Sequence, residues 1–466
     1  MTDKLERYPY GIFRILSGHG RIHIVGIGGS MLRGMAMLLQ REGYAVRGSD
    51  SSAEAVAELR ALGLDAVEGH RAENLLPDTS LVIYTSAVTE ENPELEAAEK
   101  RGIPAVSRAE FLGAYMTGYA RRIGISGTHG KSTTTALTDF VAERAGCRPT
   151  SMLGALLPDV GQSVRVGGRE LFVYEACEYR DSFLHFFPTD AVFLNMEWDH
   201  TDYFKTREQM ENSYFAAMTR AEKRCIVNAD DEGLLRLCGR LTVPAFTFGR
   251  NENADLCLTD VTEHKGHYSF TPVLCGRELD RVVCGEIGEN AVCHAGAVLS
   301  VACLSGWDLP SVAKSIAAFS GIPRRLEVLR REENRVFYYD YAHHPSEISS
   351  VIRTLRHTEP YPVTAVFRPH TYTRTRDLFA DFCRALGSAD RAIVTDVFPA
   401  REDPIPGIDG KTLAEAVGAR AEYCPLSALF PLVRQLSGTV VLLGAGDFQN
   451  LPKNIKNTLD KPSQNE

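Results

Sequence analysis

The sequence predicts an α/β protein of three domains, each built on a mainly parallel sheet covered by helices. Short apolar runs typical of buried strands alternate with helical patterns, and this alternation begins again near residues 119 and 323. A length of 466 residues fits about three domains of ordinary size. We therefore expect a Rossmann-like N-terminal domain at residues 1–119, a central domain at 120–321 and a Rossmann-like C-terminal domain at 322–466.

The first segment begins with a strand, a glycine turn and a helix in direct succession. An apolar run at 22–25 leads into residues 26–29, which contain three glycines, and a helical pattern follows at 31–40. A dinucleotide-binding dehydrogenase is one alternative, but the third glycine of the G-x-G-x-x-G pattern is replaced by Met31. Further strands are expected at 45–46 and 81–88, where small and polar residues close the strands.

The central segment opens with a glycine loop that is typical of phosphate binding. Gly127 and Gly130 let backbone N–H groups face an anion at the N-terminus of a predicted helix. Lys131 can reach the β- and γ-phosphates of a nucleoside triphosphate, and the Ser132 hydroxyl can ligate magnesium. The usual spacing requires a glycine where the chain has Ile125, and a merely capped helix is the alternative. The predicted triphosphate-binding residues of the loop are Gly127, Thr128, His129, Gly130, Lys131, Ser132 and Thr133.

Carboxylate and imidazole side chains follow two later strands of the central segment. Glu175 and Glu178 follow the strand expected at 171–174, and His200 follows the strand expected at 191–194. Magnesium prefers hydroxyl, carboxylate and water oxygens, so the loop serine and Glu175 suit one ion, and His200 suits a second. Helix capping and pairing with arginines are the alternative roles for these groups.

Two clusters of His, Tyr and Arg follow strands of the last segment. They lie at residues 340–347 and 368–376, and a helix is predicted over 376–386. Such side chains are suited to carboxylate and phosphate groups. Together with the phosphate loop, they predict that two domains close on one reaction.

Composition excludes several classes of protein. A net charge of −9 argues against broad nucleic-acid binding, which needs a basic surface. The 11 cysteines include no Cys-x-x-Cys pair, which argues against a disulfide framework or structural zinc and fits a reducing compartment. The sequence shows neither a long apolar run nor a secretory signal, so we expect a cytoplasmic protein without membrane insertion.

Taken in order, these motifs resemble the Mur ligase family. The resemblance extends from residue 22 to about residue 446. Its motifs are Gly-Ile-Gly-Gly at 26–29, Gly-Thr-His-Gly-Lys-Ser-Thr-Thr-Thr at 127–135, Glu-Ala-Cys-Glu at 175–178, Asn-Met-Glu-Trp-Asp-His at 195–200, Arg-Arg at 324–325, Asp-Tyr-Ala-His-His-Pro at 340–345 and Pro-His-Thr-Tyr-Thr-Arg-Thr at 369–375.

The resemblance implies an ATP-dependent acid–amino-acid ligase of peptidoglycan precursor synthesis, with Mg²⁺ as cofactor. The three domains would bind a UDP sugar, ATP and an amino acid. In the implied reaction, ATP phosphorylates the lactyl carboxylate of UDP-N-acetylmuramate, and L-alanine attacks the acyl phosphate. A cell-wall recycling ligase that attaches a preformed tripeptide is the alternative within the family. A UDP-sugar-binding regulatory protein with a degenerate ATPase is the alternative outside enzymes. We expect a monomer or weak homodimer.

The resemblance also implies roles for individual residues. Lys131, Glu175, His200 and Arg374 are expected to be catalytic, and Ser132, Glu175 and His200 to hold metal. Further ATP contacts are expected from Asn290, His294, Arg325 and Asp340. The amino acid is expected to contact Tyr341, His344, His370 and Arg374. The UDP sugar is expected to contact Gly26, Gly28, Gly29, Ser49, Asp50 and Ser86.

The chain departs from the family pattern at two places. The Gly-x-His-Asn-x-x-Asn element that helps to hold adenine reads Gly-Glu-Asn-Ala-Val-Cys-His at 288–294, which alters the expected adenine contacts. Met31, Leu32 and Arg33 follow the N-terminal glycine turn where small residues are usual, and Arg33 adds a positive charge there.

Overall fold

The structure is a computed structural model that describes residues 8–85, 88–89, 91–400, 402–445, 448 and 451–458. Its strands form three sheets, of 5, 11 and 6 strands, that follow one another along the chain. The predicted three-domain α/β architecture with mainly parallel sheets is confirmed. The domain boundaries after residues 119 and 321 stay predictions.

The first sheet is entirely parallel and has the strand order β3-β2-β1-β4-β5. The order reverses beside β1, and the crevice above such a point is where sheets of this kind bind ligands. The strands are β1 (Arg21–Val25), β2 (Val46–Asp50), β3 (Asp65–Glu68), β4 (Thr79–Tyr84) and β5 (Ala105–Ser107). The helices are α1 (Tyr8–Ser17), α2 (Ser30–Arg41), α3 (Ala53–Ala61), α4 (Pro93–Lys100) and α5 (Arg108–Met116).

The second sheet combines a parallel half with an antiparallel half. The path runs β15-β14-β13-β12-β11-β10-β6-β9-β7-β8, and β16 pairs with β14. The strands are β6 (Arg121–Ser126), β7 (Thr150–Met152), β8 (Val164–Arg165), β9 (Leu171–Glu175), β10 (Asp190–Phe193), β11 (Arg224–Asn228), β12 (Ala245–Gly249), β13 (Leu256–His264), β14 (His267–Leu274), β15 (Arg277–Glu278) and β16 (Val282–Ile287). The helices are α6 (Lys131–Arg144), α7 (Arg207–Met218), α8 (Glu232–Cys238), α9 (Asn290–Ser305) and α10 (Leu309–Ala318).

The third sheet has the order β17-β18-β22-β19-β20-β21, and only its edge strand β17 is antiparallel. The strands are β17 (Glu327–Glu332), β18 (Arg335–Asp340), β19 (Val363–Phe367), β20 (Arg391–Val394), β21 (Ala421–Tyr423) and β22 (Gly438–Leu443). The helices are α11 (Pro345–Thr358), α12 (Tyr372–Asp377), α13 (Phe379–Gly387), α14 (Gly410–Val417), α15 (Leu426–Gln435) and α16 (Leu451–Thr458). The single helix predicted over 376–386 is instead broken at Leu378, whose φ of −111° and ψ of 20° interrupt the helical path.

The three domains do not share their cores equally. One cluster of buried apolar side chains contains residues of the first two domains, from Ile12 to Leu237. The C-terminal domain has apolar clusters of its own, and Trp198 of the central domain packs against one of them as well as against the shared core. Polar contacts between the central and C-terminal domains near the candidate site include Glu197–Ser346, His129–Glu347 and Asp199–Arg374.

Candidate active site

The phosphate loop joins β6 to α6 in a conformation that requires glycine. Gly127 has φ of +145° and Gly130 has φ of +80°. A Cβ atom on Gly130 would lie 2.6 Å from Nε2 of His294, so a larger residue is also excluded by space. No side chain caps the N-terminus of α6. Its first N–H groups and its partial positive charge are therefore directed at the loop, as an anion site requires.

Lys131 is the first residue of α6, and its side chain folds back over the loop. Its Nζ lies 3.0 Å from the carbonyl oxygen of Thr128 and 2.9 Å from Oε2 of Glu178. Burial disfavours the ammonium charge, but the negative charge of Glu178 outweighs it and raises the pKa of Lys131. The ammonium group is therefore charged before a nucleotide arrives.

Ser132 and Glu175, which are predicted to share a magnesium ion, are joined by a hydrogen bond. The Ser132 hydroxyl donates to Oε2 of Glu175 over 2.8 Å, and the N–H of Gly154 donates to the same oxygen over 2.9 Å. A hydroxyl beside a carboxylate at the foot of a phosphate loop is an oxygen donor set that fits Mg²⁺. His200 lies on the next loop, with Nε2 3.3 Å from Oε1 of Glu178.

A cavity between the central and C-terminal domains collects most of the other residues predicted to bind ATP. His294 is buried on its wall, where Nδ1 lies 2.9 Å from Oε2 of Glu286. Thus the histidine that replaces the family's asparagine is held by a carboxylate against the phosphate loop. The predicted ATP-binding residues that line this cavity are His129, Gly130, Thr133, Asn290, His294, Arg325 and Asp340.

Asp340 also holds the segment that connects the two domains. Its Oδ2 accepts from the N–H of Leu326 and its Oδ1 from the N–H of Ala342, both over 2.7 Å. Burial raises the pKa of this carboxyl to about 6, against the effect of Arg325. Arg324 and Leu326 of the connecting segment have positive φ values of 66° and 44°, a conformation that costs free energy in residues other than glycine.

His129 connects the phosphate loop to the C-terminal domain. Its Nδ1 lies 3.2 Å from Oε1 of Glu347, and its Nε2 lies 3.4 Å from Oε2 of Glu197. Burial opposes the charge on His129, but these two carboxylates raise its pKa to about 9. The imidazole is therefore positively charged at neutral pH and forms a charged contact between domains.

The ring of His344 lies beside this contact and not with the other predicted amino-acid-binding residues. His344 caps α11, and its Nε2 lies 3.3 Å from the carbonyl oxygen of Trp198. His129, Glu197 and His344 place one ligand atom each within 4.8 Å of one another. However, the Ser346 hydroxyl already lies 2.7, 3.2 and 2.8 Å from the Glu197, His129 and His344 atoms. These side chains of the central and C-terminal domains are therefore joined to one another through the Ser346 hydroxyl.

The other three predicted amino-acid-binding residues lie together. Nη1 of Arg374 is 3.0 Å from Nδ1 of His370, and the rings of Tyr341, His343 and His370 follow one another at 5.5 and 6.0 Å between centroids. Burial and the adjacent arginine lower the pKa of His370 to about 4, so this ring is neutral. Nε of Arg374 donates over 2.8 Å to Oδ1 of Asp199, and both side chains are buried.

In the N-terminal domain, the glycine turn lies against Asp50. The N–H of Gly28 donates to Oδ2 of Asp50 over 2.8 Å, Gly26 has φ of +81°, and Gly29 precedes α2 without a side-chain cap. Ser49 is buried, and its hydroxyl donates to Glu94 over 2.6 Å. Ser86, also predicted to contact the UDP sugar, lies outside the described residues. Arg33 pairs with Glu58 over 2.9 Å, and both line a cleft with Gly28 and Ser30.

Sequence reasoning assigned no separate role to several carboxylates that connect the site. Glu178, Asp199 and Glu347 each pair with a predicted site residue: with Lys131, Arg374 and Arg325, respectively. Glu178 and Asp199 lie inside the Glu-Ala-Cys-Glu and Asn-Met-Glu-Trp-Asp-His motifs, and Glu347 is the last residue of the cluster at 340–347. Their positions in these stretches are the signal that points to them.

Comparison with known proteins gives consistent matches along the chain. Residues 21–120 match the model of the "Mur ligase family, catalytic domain", 125–292 the "Mur ligase middle domain" and 324–446 the "Mur ligase, glutamate ligase domain". A UDP-N-acetylmuramate–L-alanine ligase of Caldicellulosiruptor saccharolyticus is 35% identical over 95% of this chain and 98% of its own length. The corresponding ligase of Caldanaerobacter subterraneus is 36% identical over 86% of this chain and 88% of its own.

Solved structures agree with these matches. The crystal structure of UDP-N-acetylmuramate-alanine ligase from Thermotoga maritima has a TM-score of 0.82 and 25% identity, with 95% of this chain and 99% of that chain covered. A murein peptide ligase from Psychrobacter arcticus shares the fold, with a TM-score of 0.70 and 19% identity over 94% of this chain and 99% of its own. Among the described residues, no helix combines the length and apolar character needed to cross a membrane.

Proposed function

Because this chain belongs to the Mur ligase family, we propose that it joins L-alanine to the lactyl carboxylate of UDP-N-acetylmuramate at the expense of ATP, in peptidoglycan precursor synthesis. The observation that carries the proposal is the meeting of Lys131, Ser132 and Glu175 at an uncapped helix N-terminus. The two alanine-adding relatives support the same substrate assignment.

The chemistry explains why a triphosphate site is needed. A carboxylate is a poor electrophile, so the γ-phosphoryl group of ATP is first transferred to a lactyl oxygen, and ADP leaves. The alanine nitrogen then attacks the acyl carbon, the amine loses a proton, and inorganic phosphate leaves as the amide forms. Both steps bring negatively charged groups together. Lys131 supplies a fixed positive charge where the negative charge of the transition state develops.

We propose that Ser132 and Glu175 hold one Mg²⁺ ion and that His200 serves a second. Magnesium would supply charge neutralisation at the phosphates. The chain's own groups position the nucleotide: the loop N–H groups face the phosphates, and the cavity lined by Asn290 and His294 receives the rest. The oxygen donors at Ser132 and Glu175 support this assignment.

For the amino acid, we propose that Arg374 pairs with the alanine carboxylate beside His370 and Tyr341. Arg374 is already fixed by Asp199, so its guanidinium is oriented before the amino acid arrives. A tripeptide-adding ligase is the second candidate, because the described murein peptide ligase has the same fold. Alanine is the better-supported substrate, because the alanine-adding relatives are 35% and 36% identical to this chain and the solved alanine ligase has the higher TM-score, 0.82 against 0.70.

The decisive experiment is a substrate-dependence assay with ATP, Mg²⁺ and UDP-N-acetylmuramate, in which alanine and the tripeptide are compared at equal concentration. We expect ADP to form in step with the alanine product. Phosphate release that does not depend on both the sugar and the amino acid would contradict a ligase, and preference for the tripeptide would select the second candidate. A cytoplasmic location and a monomeric or weakly dimeric state are part of the same proposal.

A further inference from the structure

Glu178 is a buried carboxylate that bridges two groups of the proposed active site. Its side chain is 2% exposed, with Oε2 2.9 Å from Nζ of Lys131 and Oε1 3.3 Å from Nε2 of His200. It follows β9 by three residues, so the strand that supplies Glu175 also fixes its position. Glu178 thus contacts both Lys131, which we propose binds the phosphates, and His200, which we propose serves a metal ion.

The bridge is formed by short polar contacts. Glu178 accepts a hydrogen bond from Nζ of Lys131 on one side and contacts the His200 ring on the other. A buried anion of this kind is stable only while its partners stay in place, so it restrains both of them. The Lys131 side chain is further restrained by the carbonyl oxygen of Thr128, at 3.0 Å.

We propose that Glu178 is a positioning residue of the ligase reaction, which holds the Lys131 ammonium and the His200 imidazole in a fixed relation and competes with ATP phosphate for Lys131. The inference rests on the proposed function, since it concerns the same phosphoryl-transfer site. Removal of this carboxylate should therefore strengthen ATP binding but slow phosphoryl transfer. Loss of the carboxylate releases Lys131 to the phosphates, which favours ATP binding, but it also frees both groups from the geometry that phosphoryl transfer needs.

The test compares Glu178→Gln with wild type in the full-length enzyme. Glutamine keeps the size and can still accept from Lys131, so the change removes mainly the charge. We expect kcat to fall about 10- to 100-fold, because misplacement of catalytic groups by about 1 Å costs up to about 100-fold. We expect the Kd of ATP, measured by direct binding without the other substrates, to fall about threefold as a competing negative charge is lost.

Asp190→Asn is the matched control. Asp190 is also a buried carboxylate in contact with two basic side chains, 3.0 Å from Nε of Arg121 and 3.2 Å from Nε of Arg224. However, it begins β10, at the opposite end of the parallel strands from Glu178. Its loss should reduce thermal stability and leave kcat and ATP affinity within twofold of wild type. Glu178→Asp keeps the charge with a shorter reach, and it should lower kcat without tightening ATP binding.

Two outcomes would overturn the inference. One is a Glu178→Gln enzyme with kcat within twofold of wild type. The other is weaker ATP binding that accompanies a loss of stability, which is the behaviour of a purely structural carboxylate. If the Glu178→Gln protein does not fold, kcat and ATP affinity are measured for Glu178→Asp instead. A kcat within twofold of wild type in that variant would likewise overturn the inference. Failure of the proposed function is distinguishable, because it appears as absent ligation in the wild-type enzyme.

Discussion

The phosphate loop and the N-terminal glycine turn have the same local architecture and opposite charges. In both, a strand runs through glycines into a helix that has no side-chain cap. In the phosphate loop, the charged residue is Lys131, which directly follows the last glycine. In the N-terminal turn, the charged residue is Asp50, which accepts a hydrogen bond from the N–H of Gly28. Backbone geometry alone therefore does not decide what such a turn binds.

The opposite charges of Lys131 and Asp50 indicate that the two turns bind different parts of the substrates. A lysine at the helix start favours the concentrated charge of a triphosphate. Here Lys131 contacts Glu178, and the adjacent Ser132 contacts Glu175. A carboxylate beside the turn favours hydrogen-bond donors, such as the hydroxyl groups of a sugar nucleotide, and it disfavours additional negative charge. One turn is suited to chemistry and the other to holding a substrate.

Replacing Lys131 with alanine should give the largest effect and should separate the two turns. We expect kcat to fall by about 10³-fold, since the developing phosphoryl charge loses its fixed cation. Binding of the UDP sugar, measured by calorimetry, should change less than twofold. Equal loss of both properties would show that the turns do not act separately.

The reciprocal change is Asp50→Ala in the N-terminal turn. Because Asp50 anchors the N–H of Gly28, we expect the Kd of the UDP sugar to rise about tenfold, or about 1.4 kcal/mol. ATP binding should stay within twofold of wild type, and titration of each ligand alone measures this. A selective loss of ATP binding would reverse the assignment of the two turns.

Arg374→Ala extends the comparison to the third domain. We expect the KM for alanine to rise about tenfold, while the affinities at both turns stay unchanged. Because Asp199 would be left buried without its partner, the melting temperature should also fall. Arg374→Lys restores the charge without the planar guanidinium, so it should recover stability more fully than alanine use. Unchanged dependence on alanine in both variants would remove Arg374 from the amino-acid site.

The smallest expected effect is on the pH dependence of thermal stability. It comes from the His129 contact, which joins the phosphate loop to the C-terminal domain. The folded-state pKa of about 9 lies above the ordinary value of 6.5, so the stabilisation is complete below about pH 6.5 and is lost as pH rises through about 9. Between pH 7 and 9.5 the melting temperature of wild type should fall about 2–4 °C more than that of His129→Gln. Parallel pH profiles of the two proteins, recorded by scanning calorimetry, would contradict the charged contact.

The sequence predicted the fold well because each domain repeats local signals. Apolar runs such as Val363–Phe367, and glycine turns before helices, consist of residues that are adjacent in the sequence, so they can be recognised without the structure. The pairing of Asp199 with Arg374 and of His129 with Glu347 depends on how two domains meet, which no local pattern encodes. The contact of the His344 ring with the Trp198 carbonyl oxygen also depends on how two domains meet, and amino-acid binding by His344 stays a prediction.

The position of Trp198 has a practical consequence. The chain has two tryptophans, and Trp307 packs within the central domain, whereas Trp198 touches the C-terminal domain core from outside. Separation of these domains would expose the Trp198 indole to water and shift its emission to longer wavelength, and the Trp307 signal would stay constant. The unlabelled enzyme thus carries an intrinsic fluorophore at the contact between these domains, and stopped-flow fluorescence can follow their separation and closure in real time.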